Sequence, residues 1–250
     1  MKSKMYQSMY EQESIHWYFI SKHEIVLSLL EVYLKKQTNI IDFGCGTGIM
    51  LKNLSQYGQA TGMDVSQEAL DYCRQNNCDA TLIQGNLETV SMQPQFDVAL
   101  ALDVLEHTGN DLLATKNIYD ALNENGICIV TVPAFDFLWS KHDENCMHKR
   151  RYTKAELARL ASQAGFTIDY ISYYNFWLFP MMVLVRMICK LFKINQDSAL
   201  ENSVYSSFVN KLLYKIFSSE KNIIKQNYPM PFGVGIIAVI RKSCIQKEEA

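Results

Sequence analysis

A glycine-rich turn between an acidic residue and a predicted helix is the first feature of the sequence that could do chemistry. In IIDFGCGTGIM, Gly44, Gly46 and Gly48 let the backbone approach a ligand closely. Amide groups at the start of the following helix favour an anion there. Asp64 ends the next predicted strand, 22 positions after Asp42, where a carboxylate can accept hydrogen bonds from both hydroxyls of a ribose. The spacing therefore indicates a nucleoside ligand.

Acids and histidines follow two later strands. Asp103, Glu106 and His107 come after the fourth predicted strand, at the end that faces the ligand crevice in an open α/β sheet. These side chains therefore belong to the candidate site.

A second group, which contains His142, Asp143 and His148, follows the fifth predicted strand in a loop that could close over the same crevice. A neutral imidazole with a pKa of about 6.5 is a competent base for a hydroxyl or amine. The basic run at 149–151 is either a solvated loop or a clamp for an anionic group on the substrate.

The elements that must position these residues alternate along the chain. Strands are predicted at 39–43, 60–65, 80–85, 96–104, 127–133, 166–174 and 233–242. Helices are predicted at 22–35, from Thr47 onward, and at 67–75, 111–122 and 153–164. The last helix has a possible capping pair in Thr153 and Glu156, and Gly165 is its stop signal. Strands that alternate with helices predict an α/β fold with a parallel sheet.

The stretch at 174–222, before the last predicted strand, is interpreted as a helical insertion. Cations recur in it at helical spacing among apolar residues: Arg186, Lys190, Lys193, Lys211 and Lys215. Either the helices cap the core and roof an acceptor pocket, or residues 176–217 lie peripherally on an anionic membrane surface. Both interpretations suit an apolar acceptor.

Composition limits the other function classes. The 250 residues are 48% apolar with a formal net charge of -2, which suits one domain over 1–250 and no nucleic-acid partner. The scattered cysteines predict reduced thiols. The polar N-terminus resembles no signal peptide, and charges and a proline interrupt the apolar stretch at 173–194. We therefore expect a cytoplasmic protein without a spanning helix.

Taken together, DFGCGTG, the Asp64 strand end, GNLE (85–88) and FDVALALDVLEH (96–107) resemble the class I S-adenosylmethionine-dependent methyltransferases. The resemblance implies a seven-stranded, doubly wound Rossmann-like sheet whose last strand is antiparallel. It also implies that the glycine turn holds the methionine portion of the cofactor, Asp64 the ribose, and Asn86 with Leu87 the adenine edge. Asn86 stands where the family often has Asp, but its side-chain oxygen can still accept from the adenine amine.

Two further segments, HWYFISKHEIVLSLL and SKHDENCMHKRRYTKAEL, are similar to a subgroup related to the ubiquinone-type O-methyltransferases. Members of this subgroup act on lipid, sugar or quinone-type acceptors. The resemblance implies an N-terminal lid (1–36) over the cofactor, with Lys22, in place of the usual Arg, near the methionine carboxylate. Lysine keeps the positive charge but lacks the planar guanidinium with which arginine can donate two parallel hydrogen bonds to a carboxylate. Either Trp17 or Tyr18 packs on the cofactor, or both belong to an amphipathic helix whose aromatic side packs on the sheet.

A metal is the open question at the fourth strand. The ubiquinone-type enzymes carry a similar acid-x-x-Glu-His set, proposed as a divalent metal site, and Asp103, Glu106 and His107 match it. We favour the alternative in which Asp103 lies beside the cofactor while Glu106 and His107 cap the next helix. No metal is therefore expected.

The sequence thus predicts methyl transfer from S-adenosylmethionine to an oxygen or nitrogen of a small acceptor, amphipathic and anionic or lipidic in character. Cofactor contacts are expected at Trp17, Lys22, Asp42, Gly44, Cys45, Gly46, Gly48, Asp64, Val65, Asn86, Leu87 and Asp103. The expected catalytic residues are His107, His142 and His148.

Two rival functions remain at this point. An NAD-linked oxidoreductase would use a similar glycine turn, but Ile49 stands in place of the third glycine of the pyrophosphate fingerprint. The carboxylate of Asp42 would also repel a diphosphate bound at this turn. The other rival is a nucleoside-binding module that has lost catalysis.

Overall fold

The computed structural model describes residues 3–34, 38–76, 79–192 and 206–243, and a seven-stranded sheet forms the centre of this part of the chain. The strands are β1 (Thr38–Phe43), β2 (Gly58–Asp64), β3 (Ala80–Gln84), β4 (Phe96–Leu102), β5 (Leu122–Pro133), β6 (Phe166–Tyr174) and β7 (Gly235–Lys242). Their order is β3-β2-β1-β4-β5-β7-β6, with β1 to β5 parallel and β7 antiparallel to both neighbours. The predicted Rossmann-like sheet is confirmed.

Helices occupy most of the connections between the strands. They are α1 (Ser3–Gln12), α2 (Trp17–Tyr33), α3 (Ile49–Leu54), α4 (Gln67–Gln75), α5 (Asp111–Ala121), α6 (Lys141–Asn145), α7 (Lys154–Gln163), α8 (Phe179–Leu191), α9 (Ser207–Ser218) and α10 (Glu220–Lys225). Short 3-10 turns follow β4 at 105–107 and β5 at 136–138. Thr153 and Glu156 form the expected capping box at the start of α7. The last three helices make up the insertion between β6 and β7.

Two boundaries differ from the sequence-based expectation for local reasons. The helix after the glycine turn begins at Ile49 rather than Thr47, because Gly48 has a left-handed backbone with φ of 88°. Strand β5 begins at Leu122, five residues before the predicted start, because Leu122 already pairs with Phe96 and the register then shifts.

The N-terminal region also begins its helices earlier than expected. Helix α2 starts at Trp17, five residues before the predicted position 22. His16 precedes it in an extended conformation, and its ring nitrogen Nδ1 accepts from the amide of Tyr18 at 3.3 Å. This side-chain cap satisfies one of the free amides at the helix start.

Burial explains why the parallel strands form the core. Ile40, Ile41 and Phe43 of β1 have no exposed surface, as expected for a strand covered on both faces. Because β1, β2, β4 and β5 are parallel, their carboxyl ends lie at the same edge of the sheet. The glycine turn, Asp64 and both groups of acids and histidines therefore start from one edge.

The insertion packs against α2. The side-chain oxygen of Asn210 accepts from the amide of Trp17 at 3.0 Å, and the Tyr214 hydroxyl donates to Glu24 at 2.6 Å. Phe217 is fully buried beneath these contacts. The N-terminal region and the insertion therefore support each other.

Some predicted features lie outside the described residues: Lys193 of the insertion pattern, the end of the predicted first helix at 35, and Cys78 and Cys244. Each cysteine within the described ranges is a free thiol. None of the helices in those ranges combines the length and the apolar character needed to cross a membrane.

The first prediction concerns the buried carboxylate that anchors the insertion. Glu220 accepts hydrogen bonds from the amides of Asn175, Phe176 and Trp177 at 2.7, 2.8 and 3.1 Å. Burial raises the pKa of Glu220 to about 7, so the stability that this group contributes is greatest at acidic pH and is lost as the pH rises through that value; we therefore choose about pH 5. Glu220→Ala leaves these amides without their acceptor and should lower the free energy of unfolding by about 3 kcal/mol in urea titrations.

Two controls belong to this experiment. Glu220→Gln keeps one acceptor oxygen and should lose less, and the exposed Glu144→Ala should change stability by less than about 0.5 kcal/mol. Equal stability of Glu220→Ala and the unaltered protein would mean that the insertion is not anchored by this carboxylate.

Candidate active site

The glycine turn after β1 has a backbone that favours glycine. Gly44 and Gly46 have φ of 72° and 53°. A Cβ on Gly44 would lie 2.5 Å from Cγ2 of Val104, and a Cβ on Gly46 would lie 2.7 Å from Cε of Met9. The Val104 side chain therefore blocks a Cβ at Gly44, whereas at Gly46 the flexible Met9 side chain could move and the positive φ is what favours glycine. Cys45 between them is buried.

Asp64 closes the turn from the end of β2. One carboxylate oxygen accepts from the amide of Gly46 at 3.1 Å and the other from the amide of Ser66 at 2.9 Å. Burial raises the pKa of Asp64 although these amides act to lower it. A carboxylate oxygen has two lone pairs, so each can still accept from a ligand hydroxyl. The neighbouring Val65 is exposed.

Helix α1 and the residues after it lie across this turn. The buried Tyr6 hydroxyl lies near Asp64 and acts to lower its pKa, and the hydroxyl of Thr47 donates to the buried carboxyl of Glu13. Burial raises the pKa of Glu13 to about 7. Burial, together with the nearby Asp64 and Glu13, raises the pKa of Asp42 to about 8. The acid beside the turn is therefore mostly neutral at pH 7.

The predicted adenine residues follow β3. The Asn86 side-chain oxygen accepts from the amide of Glu88 at 2.8 Å, and the carbonyl oxygen of the buried Leu87 accepts from the Asn117 amide group at 2.7 Å. The amide of Gly85 donates to the carbonyl oxygen of Asp64 at 3.0 Å, which ties this turn to the end of β2. Asn86 and Leu87 therefore lie one strand away from the predicted ribose site.

Lys22 is paired with Asp103. Its ammonium lies 2.6 Å from the Asp103 carboxylate, whose other oxygen accepts from the Thr131 hydroxyl at 2.7 Å. Burial alone would raise the pKa of Asp103, but Lys22 outweighs it and the pKa falls below its usual value. The Trp17 ring lies against Phe217 of α9 with centroids 5.9 Å apart. The start of α2 is therefore fixed to both the sheet edge and the insertion.

The three predicted catalytic histidines come together. The ring centroids of His107 and His148 are 4.8 Å apart, and those of His142 and His148 are 6.1 Å apart. His148 Nδ1 lies 2.8 Å from an oxygen of Asp143, which is fully buried. The Nε2 atom of His148 is thus the nitrogen left to face a ligand.

Asp143 carries the charge that holds this arrangement. Arg151 donates to both of its oxygens, from Nε at 2.8 Å and from Nη2 at 2.9 Å. Although burial favours the neutral acid, hydrogen bonds from His148 and Arg151 hold the pKa of Asp143 well below its usual range. Two residues of the basic run at 149–151 are therefore held in ion pairs: Arg151 with Asp143, and Arg150 with Asp111 at 2.6 Å. Of the two alternatives for this run, the clamp for an anionic group on the substrate would therefore depend on Lys149.

Glu106 is the group that this edge of the sheet leaves unsatisfied. It is fully buried, and neither carboxylate oxygen has a hydrogen-bond partner in another described residue. Burial and the nearby Asp103 raise its pKa well above the usual value. Donor atoms of Glu106, His107 and His148 lie within 4.8 Å of one another. One carboxylate and two imidazoles are ligands that divalent transition metals accept.

Sequence reasoning missed several residues of the site. Tyr6, Met9 and Glu13 reach the glycine turn only through the packing of α1, which no spacing signals. Thr131 is a single hydroxyl residue within the apolar run at 127–133. Phe135 has a positive φ of 57°, unusual for a bulky side chain, and stacks on Tyr173 at 4.9 Å. A positive φ at a phenylalanine has no signal in the sequence.

Comparison with known proteins adds independent information. A family model described as "Methyltransferase domain" matches residues 16–171. A ubiquinone biosynthesis O-methyltransferase of Rickettsia bellii is 30% identical over 97 residues, which cover 37% of this chain and 40% of that protein. The chain thus spans about two fifths of the length of such curated relatives.

Solved structures share the fold at low identity. A TehB-like SAM-dependent methyltransferase from Corynebacterium glutamicum has a TM-score of 0.59 and 15% identity, covering 97% of this chain and 98% of that one. Phosphoethanolamine N-methyltransferase 2 from Haemonchus contortus, solved with S-adenosyl-L-methionine, has a TM-score of 0.56 and 19% identity, covering 87% of this chain and 52% of that one.

These matches favour methyl transfer over the oxidoreductase that the glycine turn alone left open. The family model covers more than half of the chain and includes the turn, Asp64 and the histidine loop. The protein therefore belongs to the class I S-adenosylmethionine-dependent methyltransferases.

Proposed function

We propose that the protein binds S-adenosylmethionine across the glycine turn and transfers its methyl group to a hydroxyl oxygen of an amphipathic acceptor. The observation that carries this proposal is the orientation of the His148 ring by the ionised, fully buried Asp143, at the edge of the sheet where the cofactor would bind. The segment at 103–107 joins the two halves of the site. Val104 packs at the glycine turn, and His107 lies against His148.

The cofactor half follows from the turn and from Asp64. The ribose hydroxyls would donate to Asp64, the methionine portion would lie on the turn, and the adenine would lie beside Asn86 and Leu87. Because burial raises the pKa of Asp42 to about 8, this acid is largely neutral at pH 7 and does not repel the methionine carboxylate. The H. contortus structure that shares this fold contains the same cofactor.

The transfer half needs one base and good alignment, because the sulfonium already activates the methyl group. The acceptor oxygen forms a bond to the methyl carbon as the carbon–sulfur bond breaks, and the electron pair of that bond stays on sulfur. The hydroxyl proton passes to Nε2 of His148, whose protonated ring the Asp143 carboxylate stabilises. The products are S-adenosylhomocysteine and a methyl ether. The names of the Rickettsia relatives support oxygen rather than nitrogen as the acceptor atom.

A divalent cation is a second candidate at the same place, and the unsatisfied Glu106 carboxylate favours it. Glu106, His107 and His148 are the residues that would hold the ion. The low pKa of about 4 that burial gives to His107 keeps its imidazole neutral, as a metal ligand must be. A bound cation would lower the pKa of the acceptor hydroxyl. Asp103 is absent from this set because Lys22 holds it.

Cofactor binding gives the first test of the proposed function. In calorimetric titrations, Asp64→Ala should weaken S-adenosylmethionine binding about 100-fold, because two charge-assisted hydrogen bonds to the ribose are lost. The control is Asp71→Ala on α4, an exposed acid close in the chain, which should bind normally. Unchanged affinity of Asp64→Ala, or preference of the protein for NAD, would refute the assignment.

Turnover gives the second test. With an alkylated dihydroxybenzene as probe acceptor, His148→Gln should lower the rate of S-adenosylhomocysteine formation about 100-fold or more. Its affinity for S-adenosylmethionine should stay the same, since the proposed role of His148 concerns the acceptor alone. Lys141→Gln, an exposed change on α6 in the same loop, is the matched control. If His148→Gln and Lys141→Gln turn over equally fast, His148 is not the base.

The third test asks whether the site takes a metal. Manganese titrations followed by electron paramagnetic resonance should show binding to the unaltered protein that is lost in Glu106→Gln. The amide has nearly the same shape but is a poorer ligand. Glu88→Gln, outside the cluster, should leave binding unchanged. Absence of manganese binding at millimolar concentration would leave His148 alone as the base and exclude the cation.

A further inference from the structure

Helix α8 buries a charged side chain and exposes apolar ones, which is the reverse of the usual arrangement in a helix that packs on a core. Its only buried side chain is the charged Arg186, whereas Leu184, Met187 and Leu191 are 58%, 64% and 77% exposed. Phe192 follows at 68% exposed, and Phe208 at the start of α9 is 76% exposed. We call Leu184, Met187, Leu191 and Phe192, which lie along α8 and at its C-terminal end, the outer ridge. Apolar side chains clustered on a surface in this way mark an interaction site rather than scattered exposure.

The charged residues of α8, α9 and the positions that flank them all have the same sign. Within 176–192 and 206–219 the chain contains four cations, Arg186, Lys190, Lys211 and Lys215, and no acidic residue, although the whole chain has a net charge of -2. The three lysines are exposed. Trp177, which is 51% exposed, precedes α8. Tryptophan and lysine beside exposed leucine and phenylalanine are typical of helices that lie in a membrane interface.

We propose that the outer ridge docks on the surface of a bilayer that contains anionic lipids. None of the described helices could span a membrane, so α8 would lie in the interface with its apolar side chains among the acyl chains. The lysines would meet the lipid phosphates. A second copy of this chain is a poorer occupant, because a two-fold interface would bring the same cationic surface against itself.

The docking surface adjoins the candidate active site. The Lys190 ammonium donates to the carbonyl oxygen of Phe137 at 2.8 Å, and the ring of Phe179 lies 5.9 Å from that of Phe135. Phe135 and Phe137 lie between β5 and α6, just before the segment that contains Asp143 and His148. Docking would therefore bring the acceptor side of the crevice to the membrane. The docking itself is independent of methyl transfer, whereas this link to a lipidic acceptor rests on the proposed function.

Vesicle flotation tests the docking. The full chain should float with vesicles of phosphatidylcholine mixed with phosphatidylglycerol, less with phosphatidylcholine alone, and less at high salt. Leu184→Glu and Met187→Glu should each lower the bound fraction about tenfold at both compositions, because the apolar contact is lost. Lys211→Glu should lower the bound fraction more than fivefold with the anionic vesicles only, since each lysine contributes about fivefold.

Leu113→Glu on α5 is the matched control, because Leu113 is an exposed leucine (41%) outside the ridge. It should float normally, and all variants should bind S-adenosylmethionine equally, which separates loss of docking from loss of fold or function. Failure of the unaltered protein to float, or normal flotation of Leu184→Glu, would overturn the proposal. It would also be overturned if sedimentation showed a dimer that Leu184→Glu splits while vesicles bind neither form.

Discussion

The Asp143 carboxylate is fully buried, and the loop after β5 is organised around its charge. Arg151 neutralises it through two hydrogen bonds and uses a third donor on the carbonyl oxygen of Ala134, which fastens the loop to the end of the strand. His148 takes its orientation from the same carboxylate. Breaking a buried pair costs about 3–5 kcal/mol, although forming one contributes little net stability. The pair therefore fixes a single loop conformation more than it strengthens the fold.

Burial also decides which acids at this edge carry charge. Asp103 and Asp143 have cationic partners, so their pKa values fall and both remain ionised. Within the described part of the chain Asp42 and Glu106 make no ion pair, so burial raises their pKa values. The ionised carboxylates are therefore the ones that pair with Lys22 and Arg151. Asp42, beside the glycine turn where the carboxylate of a bound cofactor would lie, is largely neutral. This division keeps Asp42 and Glu106 largely neutral and so limits the repulsion among the acids of this crowded edge.

The succession of strands and helices along the chain was predictable because it depends on local patterns, whereas the antiparallel last strand was expected only from the resemblance to the class I methyltransferases. Apolar runs give buried parallel strands, and the residues after them must share an edge. The pairing of Lys22 with Asp103 could not be predicted, since it joins positions 81 residues apart through tertiary packing. Arg151 looked like part of a solvated basic run, because sequence does not reveal which cation turns inward. Arg186 was misjudged similarly, and in α8 the apolar residues face outward instead.

The central claim is that one edge of the sheet holds the cofactor on the glycine turn and directs its methyl group toward an acceptor hydroxyl held beside His148. A crystal structure with S-adenosylhomocysteine tests it most directly. We predict ribose oxygens within hydrogen-bond distance of the Asp64 carboxylate and the sulfur directed toward the crevice beside His148. A ligand bound elsewhere, or one whose sulfur points away from the histidines with Asp64 untouched, would contradict this account.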